Sequence, residues 1–492
     1  MRTSALSLIA LLTLGGCLLG PNYQRPAVDA PPAFRFSDAQ AKDVVNTTWW
    51  VQFQDPVLND LITIALAENK DVKIAAARVD QFLGQFQSTR SQLFPQVAAG
   101  ANAQRERVPN GTALLPPGVG PVINQYQATL SASWELDVFG KVRRQTESAR
   151  ASLLASEEGR RATILTLVAS VASSYVNLLS LDRQMEIAKA TVASRADSVH
   201  VFQLRYSGGE VSQMELAQSQ SEYESSLATI PQIELQIAQQ EDALSILLGQ
   251  NPQPILRGRG LDDLALPMVP AGLPSELLTR RPDLRQAEQD LIAANALIGA
   301  ARALYFPSIS LTGVFGTASG QFSSLFTGPA RLWSYAGAVT VPIFTAGNIS
   351  GQVRQAEAQQ QQALFAYQKA IQVAFQEVED ALVSLQKTRE KLVVQGRQVE
   401  ALRTYARLAR LRYEGGYTSY IEVLDAERSL FNAQLSYAQA QGTVFASSVA
   451  LYKAMGGGWV VDAERMTAVA YGDGGAPLPP GEPAARSAQP QP

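Results

Sequence analysis

One histidine and one cysteine in 492 residues remove most of the usual means of catalysis. His200 stands in a polar helical stretch with neither cysteine nor clustered carboxylates beside it, and reads as a surface residue. No HExxH, GxSxG or glycine-rich phosphate loop occurs, and a metal would have to be held without histidine pairs or thiolates. An enzyme is therefore not expected, and neither is a metal or a nucleotide cofactor. With Cys17 alone there is no disulfide framework, so burial and assembly must hold the fold together. Acidic and basic residues nearly balance. The net charge is −3, and removing residues 1–16 takes away only Arg2, which leaves no basic footprint for nucleic acid. Past the first twenty residues, no run is expected to supply the roughly 18 apolar residues of a spanning helix. Leu291–Phe306 comes nearest and is interrupted by Asn295 and Arg302.

The start of the chain has the form of a secretory signal: Arg2, an apolar stretch from Ala5 to Leu14, then Leu14-Gly15-Gly16-Cys17. A cysteine directly after Gly-Gly resembles a bacterial lipobox, in which that residue is lipidated and becomes the new N-terminus. A covalent lipid on Cys17 is thus expected, and acyl chains at about 0.8 kcal/mol per buried methylene make a firm anchor. The segment Gly20-Pro21-Asn22-Tyr23-Gln24-Arg25-Pro26 through Phe36 reads as extended.

Beyond the anchor, the chain is written twice. Leu204-Arg205-Tyr206-Ser207-Gly208-Gly209 returns as Leu411-Arg412-Tyr413-Glu414-Gly415-Gly416, 207 positions on. Phe94-Pro95 and Phe306-Pro307 lie 212 apart, Val138-Phe139 and Ile343-Phe344 lie 205 apart, and Leu248-Gly249 and Met455-Gly456 lie 207 apart. Such a period is far longer than a solenoid or propeller unit and argues for one large supersecondary unit, duplicated.

Each repeat switches between strand-like and helix-like periods. Tyr126, Ala128, Leu130, Ala132, Trp134 and Leu136 alternate with Gln127, Thr129, Ser131, Ser133, Glu135 and Asp137. In the second repeat Trp333, Tyr335, Gly337, Val339, Val341 and Ile343 oppose Ser334, Ala336, Ala338 and Thr340. Gln96–Arg105 and Ser308–Phe315 are the partner strands, each after a Phe-Pro that suits a strand start. Lengths and alternation suit transmembrane strands of about 9 to 11 residues, and equally a half-buried soluble sheet. In hydrocarbon, four strands leave open edges, so a spanning sheet needs at least two chains to close. Proline-free runs from Lys141 to Ser207 and from Asn348 to Glu414 predict helices of on the order of 100 Å. Each ends at a double glycine and is followed by a returning helix, with a kink expected at Pro231. Narrow apolar stripes such as Ala381, Leu385, Leu392 and Val399 suit closely packed coiled-coil-like pairs.

Cys17 with Gly20–Pro26, Trp49-Trp50 followed by Asp55-Pro56, the two Phe-Pro entries and Leu424-Asp425-Ala426-Glu427-Arg428 together resemble the outer membrane efflux proteins. These are the TolC/OprM-like outer membrane factors, and the nearest pattern is the NodT-type lipoprotein branch of resistance-nodulation-division (RND) systems. The resemblance covers nearly the whole mature chain. It implies an α+β membrane protein in the outer membrane, a homotrimer whose four strands per chain form a 12-stranded β-barrel, continued by a long periplasmic α-helical barrel. It also implies a periplasmic adaptor (membrane fusion protein) and an inner-membrane RND pump as partners, with outer-membrane lipid around the barrel. The expected division begins with a signal peptide at 1–16, a lipidated extended segment at 17–48 and entry helices at 49–94. Strands one and two with an extracellular loop follow at 95–139, a hairpin with its tip near 207–211 at 140–249, and an equatorial linker at 250–273. The second repeat has its entry helix at 274–306, strands three and four with an extracellular loop at 307–344, and a hairpin with its tip near 414–418 at 345–456. A C-terminal segment and tail occupy 457–492. The strand-connecting loops are expected at Val108–Asn124 and Thr317–Arg331.

At the tips, Gly208, Gly209, Gly415 and Gly416 are the turns where adaptor hairpins would meet the tunnel. Glu422 and Asp425 lie i, i+3 apart just after the second turn, and symmetry would make them acidic rings that favour cations. Arg428 is expected to pair with an acid on a neighbouring helix. By resemblance, Tyr413, Ile421, Asp425 and Arg428 match the family's constriction and latch positions, and Glu422 a second acidic ring. First-repeat counterparts Tyr206, Met214, Glu215 and Gln218 keep the tyrosine and one acid only, so the two tips should differ. The expected function is a passive outer-membrane exit duct of a tripartite efflux system, gated at its periplasmic tip. A protein-secretion duct and a structural or adaptor coiled-coil lipoprotein stay open as alternatives.

Overall fold

The computed structural model describes residues 18–28, 31–36, 48–107, 109, 121–268 and 274–457. The signal peptide, Cys17, most of the first strand-connecting loop and residues 458–492 lie outside the described residues. Two compact units each draw on both repeats: one falls within Met1–Ala27, Val79–Ser156 and Gln286–Tyr367, the other within Val28–Arg78, Glu157–Arg285 and Gln368–Pro492.

The first unit holds a four-stranded antiparallel sheet in the order β1 (Gln96–Arg107), β2 (Val122–Leu136), β3 (Ser308–Ser319), β4 (Arg331–Thr340). All four expected strands are present and each reaches further towards its connecting loop, which shortens those loops, whereas β2 ends at Leu136 and β4 at Thr340, leaving Asp137, Val341 and Ile343 outside the ladder. Register fixes two chemically distinct faces. Ala99 pairs with Leu130, Leu130 with Phe315 and Phe315 with Trp333, so these four side chains share one face. Val97, Ala132 and Tyr335 lie on it as well, whereas Gln96, Ser133, Thr312 and Ser334 point the other way. The apolar face is uncovered within the chain: Phe315 is 63%, Trp333 69% and Tyr335 81% exposed. β1 and β4 are open edges.

The helices follow the duplication. α1 (Pro56–Glu68) and α2 (Lys70–Ser91) precede β1, and a single turn at Leu277–Arg280 with α6 (Pro282–Ala303) precedes β3. Asn69 separates α1 from α2. Its side-chain oxygen accepts from the amides of Asp71 at 2.8 Å and Val72 at 3.1 Å, capping α2 while its NH₂ holds the Leu247 carbonyl. α3 (Lys141–Ser207) and α7 (Asn348–Glu414) are 67 residues each, with the predicted bounds. The returning helix of the first repeat is split into α4 (Gln213–Leu227) and α5 (Thr229–Leu247), because Pro231 has no amide to offer the Leu227 carbonyl and its ring crowds that carbonyl. Its counterpart α8 (Tyr420–Ala454) has no proline and runs unbroken for 35 residues.

One expectation is overturned here. Residues 162–181 within α3 carry no charge, and α3 is long and apolar enough to cross a membrane. The apolar window is 72% buried by the chain itself, so it is a core helix. Scattered Ser, Thr, Tyr and Asn hide its apolar character from a search for continuous runs. Ile164, Val168, Val171, Tyr175 and Leu178 are fully buried there, within the same core as Trp49, Phe53, Leu58, Leu244 and Tyr452 of the second unit. Trp49 stacks on Tyr452 with ring centroids 5.2 Å apart.

Asp55 is the polar centre of that core. Fully buried, it caps α1 through the Val57 amide at 2.9 Å, and it accepts from the Tyr175 hydroxyl at 2.8 Å and the Arg259 amide at 3.1 Å. Tyr175 in turn accepts from the Gly258 amide at 2.9 Å, and burial pushes its phenol above the usual tyrosine range. Replacing Asp55 with Ala leaves three donors unanswered in an apolar surround. Thermal unfolding followed by circular dichroism should show a loss of roughly 3 kcal/mol, and an unchanged midpoint would contradict the assignment.

Candidate functional site

The two hairpin tips are built by the same local chemistry. α3 stops because Gly209 takes φ +78°, which lets its amide reach the Tyr206 carbonyl at 3.0 Å and the Glu210 amide reach the Arg205 carbonyl at 2.8 Å. α7 stops identically: Gly416 at φ +74° bonds the Tyr413 carbonyl at 3.0 Å, and the Tyr417 amide bonds that of Arg412 at 2.8 Å. This is the Schellman pairing, in which the left-handed residue favours glycine. Gly208 and Gly415 precede it with no positive φ, and Gly415 lies under the Tyr417 ring.

After the turns the repeats part. Ser212 caps α4 with a reciprocal box: its hydroxyl accepts from the Glu215 amide at 3.2 Å and its amide donates to the Glu215 carboxylate at 2.9 Å. In α8 the equivalent Ser419 makes no side-chain cap. Glu422, at the position of Glu215, instead accepts from Arg412 at 3.0 Å and from the Thr418 hydroxyl. Asp425 pairs with Arg428 of its own helix at 2.9 Å, both side chains more than half exposed. Within the chain Glu422 and Asp425 therefore have separate cationic partners, and Arg428 is held by its own helix. Ile421 is 60% exposed.

Tyr413 is half-buried in an aromatic cluster that composition and motifs did not point to. Its ring lies 6.1 Å from Phe202 and 5.2 Å from Tyr420, and Phe202 and Tyr420 approach to 4.1 Å. Leu216, Val423 and Ala426 close the cluster, with Ala406 and Ala409 giving the space. The signal was available in the repeat alignment: position 202 is Phe where its counterpart 409 is Ala, a large-for-small exchange. Burial, with Glu215 nearby, pushes the Tyr413 phenol above its ordinary range, and the positive charge of Arg205 opposes the shift.

A second assembly lies in the first unit. The segment just after Cys17 is a strap threaded on the helices. Arg144, 1% exposed in the first turn of α3, donates to the carbonyls of Leu19 at 2.9 Å and Gly20 at 3.2 Å and to the Asn22 side chain at 2.9 Å. Asn295 of α6 holds the Pro21 carbonyl at 3.0 Å. Gly20, at φ +90°, passes so close to Gly299 that a Cβ on either would strike backbone. Arg25 and Tyr23 both bond Glu288. Leu18 lies against Gly140, just past the end of β2. Cys17 itself is outside the described residues, and its immediate neighbour is fixed beside the sheet. Among the described residues no cluster of His, Cys, Asp and Glu suits a metal.

The turn geometry predicts unequal responses to alanine. Gly209→Ala and Gly416→Ala force a Cβ into the left-handed region at about 1 kcal/mol each, so the Glu210 and Tyr417 amides should exchange with solvent about fivefold faster. Gly208→Ala should leave both rates unchanged. Hydrogen exchange read by mass spectrometry distinguishes these outcomes.

Comparison with known proteins agrees with the duplicated architecture. The family model described as "Outer membrane efflux protein" matches residues 61–250 and 273–457, one stretch in each repeat. The chain is 38% identical over 468 residues to the toluene efflux pump outer membrane protein TtgC of Pseudomonas putida, covering 93% of this chain and 96% of that protein. It is 36% identical over 454 residues to the cation efflux system protein CusC of Escherichia coli, covering 91% and 97%. Among solved structures, the open state of the MtrE outer membrane channel of Neisseria gonorrhoeae superposes with a TM-score of 0.81 at 34% identity, covering 90% of this chain and 99% of that one. Duplication, strands, long helices and comparisons converge: this chain belongs to the outer membrane efflux protein family.

Proposed function

We propose that this chain is the outer-membrane exit duct of a tripartite RND-type efflux system, passively passing small molecules from a periplasmic pump and adaptor to the exterior. The observation that carries the reading is the sheet: one face is uncovered and apolar, the other polar, and both edges are open. A soluble structural lipoprotein would bury that apolar face. In hydrocarbon each unpaired edge group costs several kcal/mol, so copies must join β4 of one to β1 of the next, and three chains give a closed barrel of twelve strands. Those edges run antiparallel, as the join requires.

In this reading Cys17 carries the lipid, and the strap directs it to the membrane interface beside the sheet. Leu204, Met214, Leu411 and Tyr417, all more than half exposed around the glycine turns, supply apolar contacts for adaptor hairpins. Tyr413, Ile421, Glu422, Asp425 and Arg428 form the periplasmic gate, the Asp425–Arg428 and Glu422–Arg412 pairs fixing the start of α8. Relatives named for toluene and for cations are nearly equally similar to this chain, which supports a duct that leaves substrate choice to the pump. A passive conduit of this kind needs no cofactor besides its lipid.

Single-channel recording in planar bilayers tests both parts. The Asp425→Ala, Glu422→Ala double variant releases Arg428 and Arg412 and should conduct at least twofold more than wild type, with weaker cation selectivity. Equal conductance in a correctly assembled variant removes the gate assignment. Silence from both proteins, with insertion verified, removes the duct.

A further inference from the structure

The outward face of the sheet changes character at the end remote from the helices. In β1, Val97, Ala99, Ala101 and Ala103 are followed on the same face by Arg105 and Arg107, and in β4 Arg331 occupies the outward position two residues before Trp333. Among the described residues, none of these three guanidinium groups has a hydrogen-bond or ion-pair partner. The adjacent acid, Glu106, lies on the opposite face and accepts from Gln104 at 3.0 Å. Unpaired arginines on a lipid-facing surface are unfavourable at depth and nearly neutral at the interface, where an anionic headgroup turns them favourable.

Level with Arg331, along the outward row Ala101, Ala128, Thr317 and Arg331, the sheet face is hollow. Ala99, Ala101 and Ala128 make a floor of small side chains, and Leu130, Phe315 and Phe326 border it, leaving an open trough of about 870 Å³ with Arg331 at its margin. A trough with apolar walls and a cation at its polar end has the outline of an acyl chain capped by an anionic group. Barrel closure can only join β4 of one copy to β1 of the next, which brings Arg331 to the same end as the next copy's Arg105 and Arg107.

We propose that this rim binds an acylated, phosphate-bearing lipid of the outer leaflet: its phosphate is held by Arg105, Arg107 and Arg331, and its acyl chains lie in the hollow over Ala99, Ala101 and Ala128. The planar guanidinium fork matches a phosphate bidentately, and three forks from two joined edges match a phosphate monoester better than a zwitterionic headgroup. The site lies at the joins between copies, so a bound lipid bridges neighbouring sheets. This inference rests on the exit-duct reading.

Native mass spectrometry of the assembled protein in non-ionic detergent tests it, with bisphosphorylated lipid A, its dephosphorylated form, phosphatidylethanolamine and inorganic phosphate as probes. Wild type should retain up to one lipid A per chain, and the Arg105→Ala, Arg107→Ala, Arg331→Ala variant should need about tenfold more lipid for the same occupancy. The corresponding triple lysine variant should fall between them, and phosphatidylethanolamine should not distinguish the three proteins. Equal lipid A retention by wild type and the alanine variant overturns the site, as does equal retention of the dephosphorylated lipid. Thermal stabilisation by inorganic phosphate matching that by lipid A would identify a free-anion site and overturn the lipid. Planar-bilayer conductance separates the two readings: variants that conduct as wild type does while retaining lipid A equally defeat the lipid site alone, whereas a wild type that neither assembles nor conducts defeats the duct and this site with it.

Discussion

The constraint from which most of this architecture follows is the backbone hydrogen bond in hydrocarbon. A strand edge that meets water is tolerable, and one that meets lipid is not. Four strands per chain with a lipid-ready face cannot satisfy their own edges, so the sheet has meaning only as a third of something closed. Much else serves that closure. The strap fixes Leu18 beside the sheet, and the register keeps Leu130, Phe315 and Trp333 on one face. The helices need no such closure, because an α-helix satisfies its own backbone.

Much of this was legible in the sequence because each feature depends on local chemistry. Alternation of Tyr126 through Leu136 is a period-two pattern that no helix uses, and the run from Lys141 to Ser207 is bounded by a glycine at one end and a glycine pair at the other. The second repeat then supplied an independent reading of the same unit. Strand lengths were underestimated where polar residues such as Arg107 and Ser319 continue a ladder, since backbone pairing persists where side-chain alternation fades. The core role of residues 162–181 was missed for a related reason: dispersed hydroxyls interrupt an apolar run in print without preventing burial, because a helical Ser or Thr can bond its own backbone.

The candidate gate was harder to read, and the cause is tertiary. The sequence places Glu422, Asp425 and Arg428 on one helix, but it does not say that Arg412, ten residues upstream across a turn, meets Glu422. Nor does i, i+3 spacing decide whether Arg428 reaches a neighbour or its own Asp425, a choice governed by rotamers. The aromatic cluster of Phe202, Tyr413 and Tyr420 joins two repeats separated by some two hundred positions. Divergence between the repeats was the usable signal: where duplicated halves differ in size at one position, a cross-repeat contact fills the difference.

The break at Pro231 has a mechanical consequence. A continuous helix resists bending along its whole length, whereas one missing rung between Leu227 and residue 231 concentrates curvature at a single joint. Each chain thus combines a jointed strut with its unbroken duplicate, α8. Bending of the first-repeat return is therefore taken up at residues 227–231, while α8 offers no such joint. Duplication gave the protein two equal staves, and one proline made them unequal springs.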